Sequence, residues 1–188
     1  KINGSSMIDQ LRYNYYDGSN KLLNVIDDLN DAQTKLGDFR TSTLHPQSGI
    51  KTNTTVDYTY DANGNLKKDL NKDIGTASGE DIVYNYLNLP QTITVRTTGG
   101  AVKGTISYTY DAAGSKLKKT VTETGQPSKT TLYLGGAVYE NDVLQFLGQE
   151  EGRIRFKPVQ GSVPASFEYD YFVKDHLGNV RMVLTEEQ

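Results

Sequence analysis

The chain has no cysteine, no tryptophan, only 2 methionines, 2 histidines and 5 prolines among its 188 residues. Without cysteine there is no disulfide framework, no thiol nucleophile and no thiolate metal site. That composition is compatible with export through an oxidising space. Long apolar runs are missing as well. No stretch approaches the roughly 18 apolar residues of a membrane-crossing helix, and the first residues lack the charged and apolar regions of a signal peptide. Neither sign of charge dominates: 20 basic and 23 acidic residues, well mixed, give a net charge of −3. Neither nucleic-acid binding nor membrane insertion is therefore expected. The chain begins at Lys1 and reads as an excerpt, with any targeting signal expected outside it.

What is present in quantity is glycine and tyrosine, 18 and 13 residues respectively. The tyrosines are organised. The string Tyr58-Thr59-Tyr60-Asp61-Ala62-Asn63-Gly64-Asn65-Leu66 returns as Tyr108-Thr109-Tyr110-Asp111-Ala112-Ala113-Gly114-Ser115-Lys116-Leu117. Looser copies start at Tyr13-Asn14-Tyr15 and at Tyr84-Asn85-Tyr86, so the first tyrosines stand 45, 26 and 24 residues apart. Self-similarity at intervals in the twenties indicates stacked β-units. A period of two puts Val56, Tyr58 and Tyr60 on one strand face, and likewise Ile82, Tyr84 and Tyr86, and Ile106, Tyr108 and Tyr110. The Asp that follows can bond its own downstream backbone, and the Gly can take positive φ, which makes each unit a strand, a turn and a strand. Leu66 and Leu117 then open the return strands, with Lys67, Lys68, Lys118 and Lys119 as solvated or edge-protecting charges.

The expected fold class is all-β, built from sequential antiparallel hairpins. Residues 1–26 form a first hairpin around the turn Asp17-Gly18-Ser19-Asn20, and residues 27–55 form a polar connection or surface insertion, with a short helical turn over Asp28–Leu36. Residues 56–125 carry the clearest repeat hairpins, residues 126–165 further strands, and residues 166–188 a last strand pair around Asp175-His176-Leu177-Gly178-Asn179.

Motifs that would carry chemistry are weak. Asp61-Ala62-Asn63-Gly64-Asn65 imitates the start of a calcium loop, but Leu66 and Lys72 stand where such a loop needs Gly and Glu. His176 beside Asp175 has only His45 as a possible second imidazole, and no nucleophile motif supports either. Gly99-Gly100 and Gly135-Gly136 lack the lysine of a phosphate loop. Arg153, Arg155 and Lys157 on one strand face read as ordinary solvated charge. No catalytic, cofactor-binding or metal-ligating residue is assigned, no cofactor is expected, and the chain is expected not to be an enzyme.

The Tyr-x-Tyr-Asp-x-x-Gly units resemble YD repeats, and Asp175-His176-Leu177-Gly178-Asn179-Val180-Arg181 looks like the opening motif of the RHS repeat-associated core. Their order, repeats first and core motif last, is the order of that family. The resemblance extends from Leu11 onward, and the versions around Ile82–Pro90 and Tyr133–Asn141 are similar to Bacteroidetes surface and secreted members. It implies a β-sheet ribbon that curves and spirals into a hollow shell around a C-terminal effector, a toxin used between competing bacteria. It further implies a secreted or cell-surface location on the outer-membrane exterior. Its implied partners are the chain's own C-terminal effector, flanking repeats, and secretion or surface machinery. Residues 166–188 would then start the core, while any autoproteolytic residues of the full-length protein would lie outside this chain. The alternative is a cell-surface adhesion or carbohydrate-binding module that stacks sugars on exposed tyrosines.

Overall fold

The computed structural model describes residues 2–3, 6–30, 38–77 and 79–186. Their regular structure is antiparallel strand apart from one 3-10 turn, Leu70–Lys72. The fold is all-β, and the chain divides into two compact units: Lys1–Ser107 with Glu123–Gln126, and Tyr108–Thr122 with Pro127–Gln188.

The first unit holds three separate hairpins. They are β1 (Ile2–Asn3) with β2 (Ser6–Met7), β3 (Asp9–Tyr15) with β4 (Leu22–Asn30), and β5 (Tyr58–Tyr60) with β6 (Leu66–Asp69). A further run, β7 (Ile82–Tyr84), β8 (Pro90–Arg96) and β9 (Val102–Tyr110), pairs in chain order. The last three residues of β9 lead into the second unit.

There the strands are β10 (Lys116–Glu123), β11 (Lys129–Leu134), β12 (Ala137–Glu140), β13 (Val143–Gln149), β14 (Gly152–Lys157), β15 (Ser166–Lys174) and β16 (Val180–Thr185). Each pairs antiparallel with its neighbour in the chain.

The apolar core of the first unit is small: Ile8, Val25, Ile26, Leu70 and Ile82. Polar residues share the interior, among them Asn24, His45, Thr55, Asp57, Lys68, Asp69, Asn71 and Asp81. In the second unit only Gly152 and Asp170 are buried among the described residues. It is therefore a sheet with little cover on either face.

Several expected placements differ. The first hairpin's Tyr13 and Tyr15 form no enclosed stripe: both face solvent, Leu11 and Asn14 are more enclosed, and a register shift falls between Asn14 and Tyr15. Strand β4 runs to Asn30, so Asp28–Asn30 is extended and not helical. The rest of that expected helical turn, residues 31–36, lies outside the described residues. The polar connection is mostly exposed over its described length but sends His45 and Thr55 into the interior. Val56 precedes β5 and is exposed, because the buried positions there are Thr55 and Asp57. Lys68 is buried and donates to the Ala77 carbonyl at 3.2 Å, so it is not a solvated charge.

Candidate functional site

Four turns share one construction. In each, an Asp or Asn accepts on its Oδ1 the backbone N–H groups two and four residues ahead, a local bond that replaces ladder pairing where the chain reverses. Asp61 takes Asn63 and Asn65 (2.9 and 2.8 Å), and Asn85 takes Leu87 and Leu89 (2.9 and 3.0 Å). Asp111 takes Ala113 and Ser115 (2.9 and 2.8 Å), and Asp175 takes Leu177 and Asn179 (both 2.9 Å). The third residue after the Asx has positive φ each time: Gly64 at 87°, Asn88 at 58°, Gly114 at 88° and Gly178 at 83°. The Asp175-His176-Leu177-Gly178-Asn179 segment is thus a fourth copy of the repeat turn.

This construction corrects the repeat alignment. Tyr84, directly before Asn85, corresponds to Tyr60 and Tyr110 and not to Tyr58 and Tyr108. Tyr86 lies in the turn and is 83% exposed, so it belongs to no strand stripe. Leu66 opens β6, whereas Leu117 is the second residue of β10, one step further from its turn, and is exposed. The Tyr108 and Tyr110 rings do share a face, with centroids 6.2 Å apart, and Lys116 lies over the Tyr108 ring.

The carboxyls at these turns are held below their ordinary range. At Asp61 the largest cause is the Asn65 side chain, and at Asp111 it is the Ser115 backbone N–H. At Asp175 partial burial opposes the charge, and hydrogen bonds from Asn179, Leu177 and Arg181 outweigh it. Arg181 closes on Asp175 at 2.7 Å, so the charge stays within its own turn, and His176 and Leu177 point outward at the tip.

The tyrosine before the turn joins successive hairpins of the first unit. The Tyr60 hydroxyl donates to the carbonyl of Leu22, the first residue of β4, at 3.1 Å. The Tyr84 hydroxyl donates to the carbonyl of Leu66, the first residue of β6, at 2.7 Å. Tyr16 donates to the Tyr58 carbonyl at 2.7 Å and meets the Tyr60 ring edge-on. Burial pushes the Tyr16, Tyr60 and Tyr84 phenols above their ordinary range. Burial also raises Tyr58, whose hydroxyl accepts from Asn71 at 3.1 Å. Replacing Tyr84 by Phe should cost about 0.5–1.5 kcal/mol, since the Leu66 carbonyl loses its partner. Urea midpoints check this, with Tyr86→Phe as a control expected to change nothing.

The most concentrated polar chemistry of the first unit surrounds Asp57. His45 Nε2 lies 2.9 Å from its Oδ1, while Lys51 Nζ (2.6 Å), Asn71 Nδ2 (2.9 Å) and the Val25 N–H (3.3 Å) reach Oδ2. Lys51 also donates to the Val25 carbonyl, to Thr41 and to the Asn71 side-chain carbonyl. Burial works against the Asp57 charge, but His45, Lys51 and Asn71 outweigh it and keep the carboxyl below its usual value. His45 Nδ1 accepts the Gln47 N–H at 3.0 Å, which assigns the proton of a neutral ring to Nε2, facing Asp57. Both ring nitrogens are occupied and the His45 and Asp57 side chains are fully buried, so no substrate group can reach this imidazole as an acid or base. The network joins the connection around His45 and Lys51 to β4, β5 and the Leu70–Lys72 turn.

In the second unit, Arg153, Arg155 and Lys157 are engaged across the β14–β15 ladder. Asp170 accepts from Arg153 Nε (2.7 Å), Arg155 Nε (2.7 Å) and Nη2 (2.9 Å), and Thr185 Oγ1 (3.0 Å). Glu168 takes Arg155 at 3.0 Å and Lys157 at 3.3 Å. The Arg155 hydrogen bond leads the effects that, against burial, lower the Asp170 carboxyl to about 2. These cations already have counter-charges, which leaves little for a phosphate backbone.

Sequence reasoning missed both networks. A signal for the first existed in Asp57, a charged residue directly before an aromatic strand, but its partners lie 6, 12 and 14 residues away outside any periodic pattern. No family model, curated protein or solved structure matches this chain.

Proposed function

We propose that the chain is architectural: a wall segment of an RHS/YD-repeat protein, secreted or displayed on the cell surface, that encloses a C-terminal effector, a toxin used in competition between bacteria. The observation that carries this reading is the turn-and-clasp unit. One Asx turn recurs at four places, and tyrosine hydroxyls tie each of two hairpins to the one before it. A chain built this way lengthens by adding hairpins, as repeat architectures do.

The second unit adds support. Val180, Met182, Val183 and Leu184 of β16 are all exposed, and β16 pairs only with β15 among the described residues. Such an edge invites a further strand, which fits flanking repeats or surface machinery as partners. The Asp57 and Asp170 networks serve as internal ties in this reading, and neither supplies a reaction.

The test is protection. In a polypeptide that carries both the wall and its C-terminal effector, protease should leave the effector intact until the wall is denatured. An effector degraded as fast as a free polypeptide would refute enclosure. A second reading, adhesion to carbohydrate, is favoured by one feature: the exposed Tyr169 and Tyr171 rings stack with centroids 6.3 Å apart. Saturable binding to a glycan, abolished by changing both tyrosines to Ala, would support it.

A further inference from the structure

We propose that Asp9, Asp27 and Asp38 form a calcium site in the first unit. One carboxylate oxygen from each lies within 4.8 Å of the others. Three acids together are not a site in themselves; what sets these apart is how they are held. Asp27 Oδ1 accepts the Gln10 N–H at 2.9 Å and the Leu29 N–H at 3.2 Å, but its Oδ2 is buried with no hydrogen-bond partner. Asp38 has a fully buried side chain: Oδ2 takes Arg40, and Oδ1 is buried with no partner. Asp9 Oδ1 accepts the Phe39 N–H at 2.9 Å, which draws the residue after Asp38 against the start of β3.

Two orphaned carboxylate oxygens inside one group of three acids are costly twice over. Each has lost water without gaining a donor, and the charges repel. Arg40 answers the Asp38 charge through Oδ2 and leaves both orphaned oxygens without a donor. A bound cation would satisfy the free oxygens and offset the remaining repulsion together.

The local fold presents the group for this. Between the pairs Asp9↔Asn30 and Leu11↔Asp27, β4 carries an extra residue, and such a bulge re-aims the side chains beside it. An open polar depression lined by Asp27, Asp28, Arg40 and Lys51 adjoins the site and offers an entry route. The donors are all oxygen, which selects hard cations. Calcium, at about 2.3–2.6 Å from its ligands, spans opposed oxygens roughly 4.6–5.2 Å apart, whereas magnesium needs them within about 4.2 Å. The three oxygens lie within 4.8 Å of one another, which admits calcium, whose coordination tolerates irregular oxygen sets, where magnesium demands a near-ideal octahedron and dehydrates reluctantly. The turn at Asp61 differs in kind, since both its carboxylate oxygens are engaged by the turn itself.

The experiment is a titration of the chelator-stripped 188-residue chain with calcium chloride, and separately with magnesium chloride, by calorimetry and thermal melting. One saturable calcium site and a rise in Tm of several degrees are expected, with a smaller response to magnesium. Asp38→Asn and Asp27→Asn should each abolish the calcium shift while leaving the metal-free Tm equal or higher, because repulsion is relieved. Asp61→Asn, at the turn whose carboxylate oxygens are both engaged locally, should keep the shift. No saturable binding and no Tm change up to about 10 mM calcium, beyond the range of weak extracellular sites, would overturn the proposal whether or not the variants fold. An undiminished shift in folded Asp38→Asn would overturn it too.

Discussion

Asp57→Asn lowers the stability of the first unit by about 3–5 kcal/mol, the cost of stranding one member of a buried ion pair. The Lys51 side chain is almost fully buried and, among the described residues, would keep its ammonium with no other salt-bridge partner. The asparagine keeps the shape and an acceptor for His45, but its NH2 then faces the Lys51, Asn71 and Val25 donors, so those bonds are lost along with the charge. Adding Lys51→Met should recover a substantial part of it, and a double-mutant cycle from urea unfolding gives the coupling. Additive losses would show that the pair is not the source. The pH dependence follows from the direction of the shift. Asp57 is held below the ordinary carboxylate range, so its contribution is complete above about pH 4 and disappears as pH falls through the lowered value. Wild-type stability should therefore decline on acidification below pH 4, and the decline should be shallower in Asp57→Asn.

Much of the fold is legible in the residues, and the boundary of what is legible has a physical reason. Turn chemistry is short-range: an Asp with a Gly three positions later carries both the side-chain acceptor and the positive φ, and the pattern is read without tertiary knowledge. Tyrosine placement is read less well. The pair Tyr-x-Tyr draws the eye to alternation, but what fixes the clasp is distance from the turn, which makes Tyr84 the partner of Tyr60 and puts Tyr86 in solvent. The single residue separating Leu66 from Leu117 in register has the same origin, since one step along a strand changes the face. Least legible is the interior of the first unit. His45, Lys51 and Asp57 look like loop polarity, and only a folded connection brings them onto β4 and β5. Asp9, Asp27 and Asp38 are likewise distant in sequence and meet only once β3 and β4 have paired.

Gly152→Ala is expected to be the most damaging single change in the second unit, at about 3 kcal/mol or more. Gly152 opens β14 opposite Tyr171, and a Cβ there would sit 1.9 Å from the Asp170 carbonyl oxygen and 2.9 Å from its carbon. These are backbone atoms of a paired strand, so no rotamer change relieves the overlap and β15 itself must move. Asp170 is also the acceptor for Arg153, Arg155 and Thr185, so displacing it weakens ties to both β14 and β16. Gly148→Ala is the matched control: its nearest neighbour, the Gly136 carbonyl oxygen, lies at 3.4 Å, and the loss should be under about 1 kcal/mol. Acid titration separates steric strain from the loss of the cluster. The Asp170 carboxyl, lowered from 3.8 to about 2, stabilises the sheet above pH 4 and loses that contribution as pH falls toward 2. If Gly152→Ala dislodges the cluster, that acid step should shrink in the variant. A full step beside a large loss of stability would place the damage in the strand pairing alone.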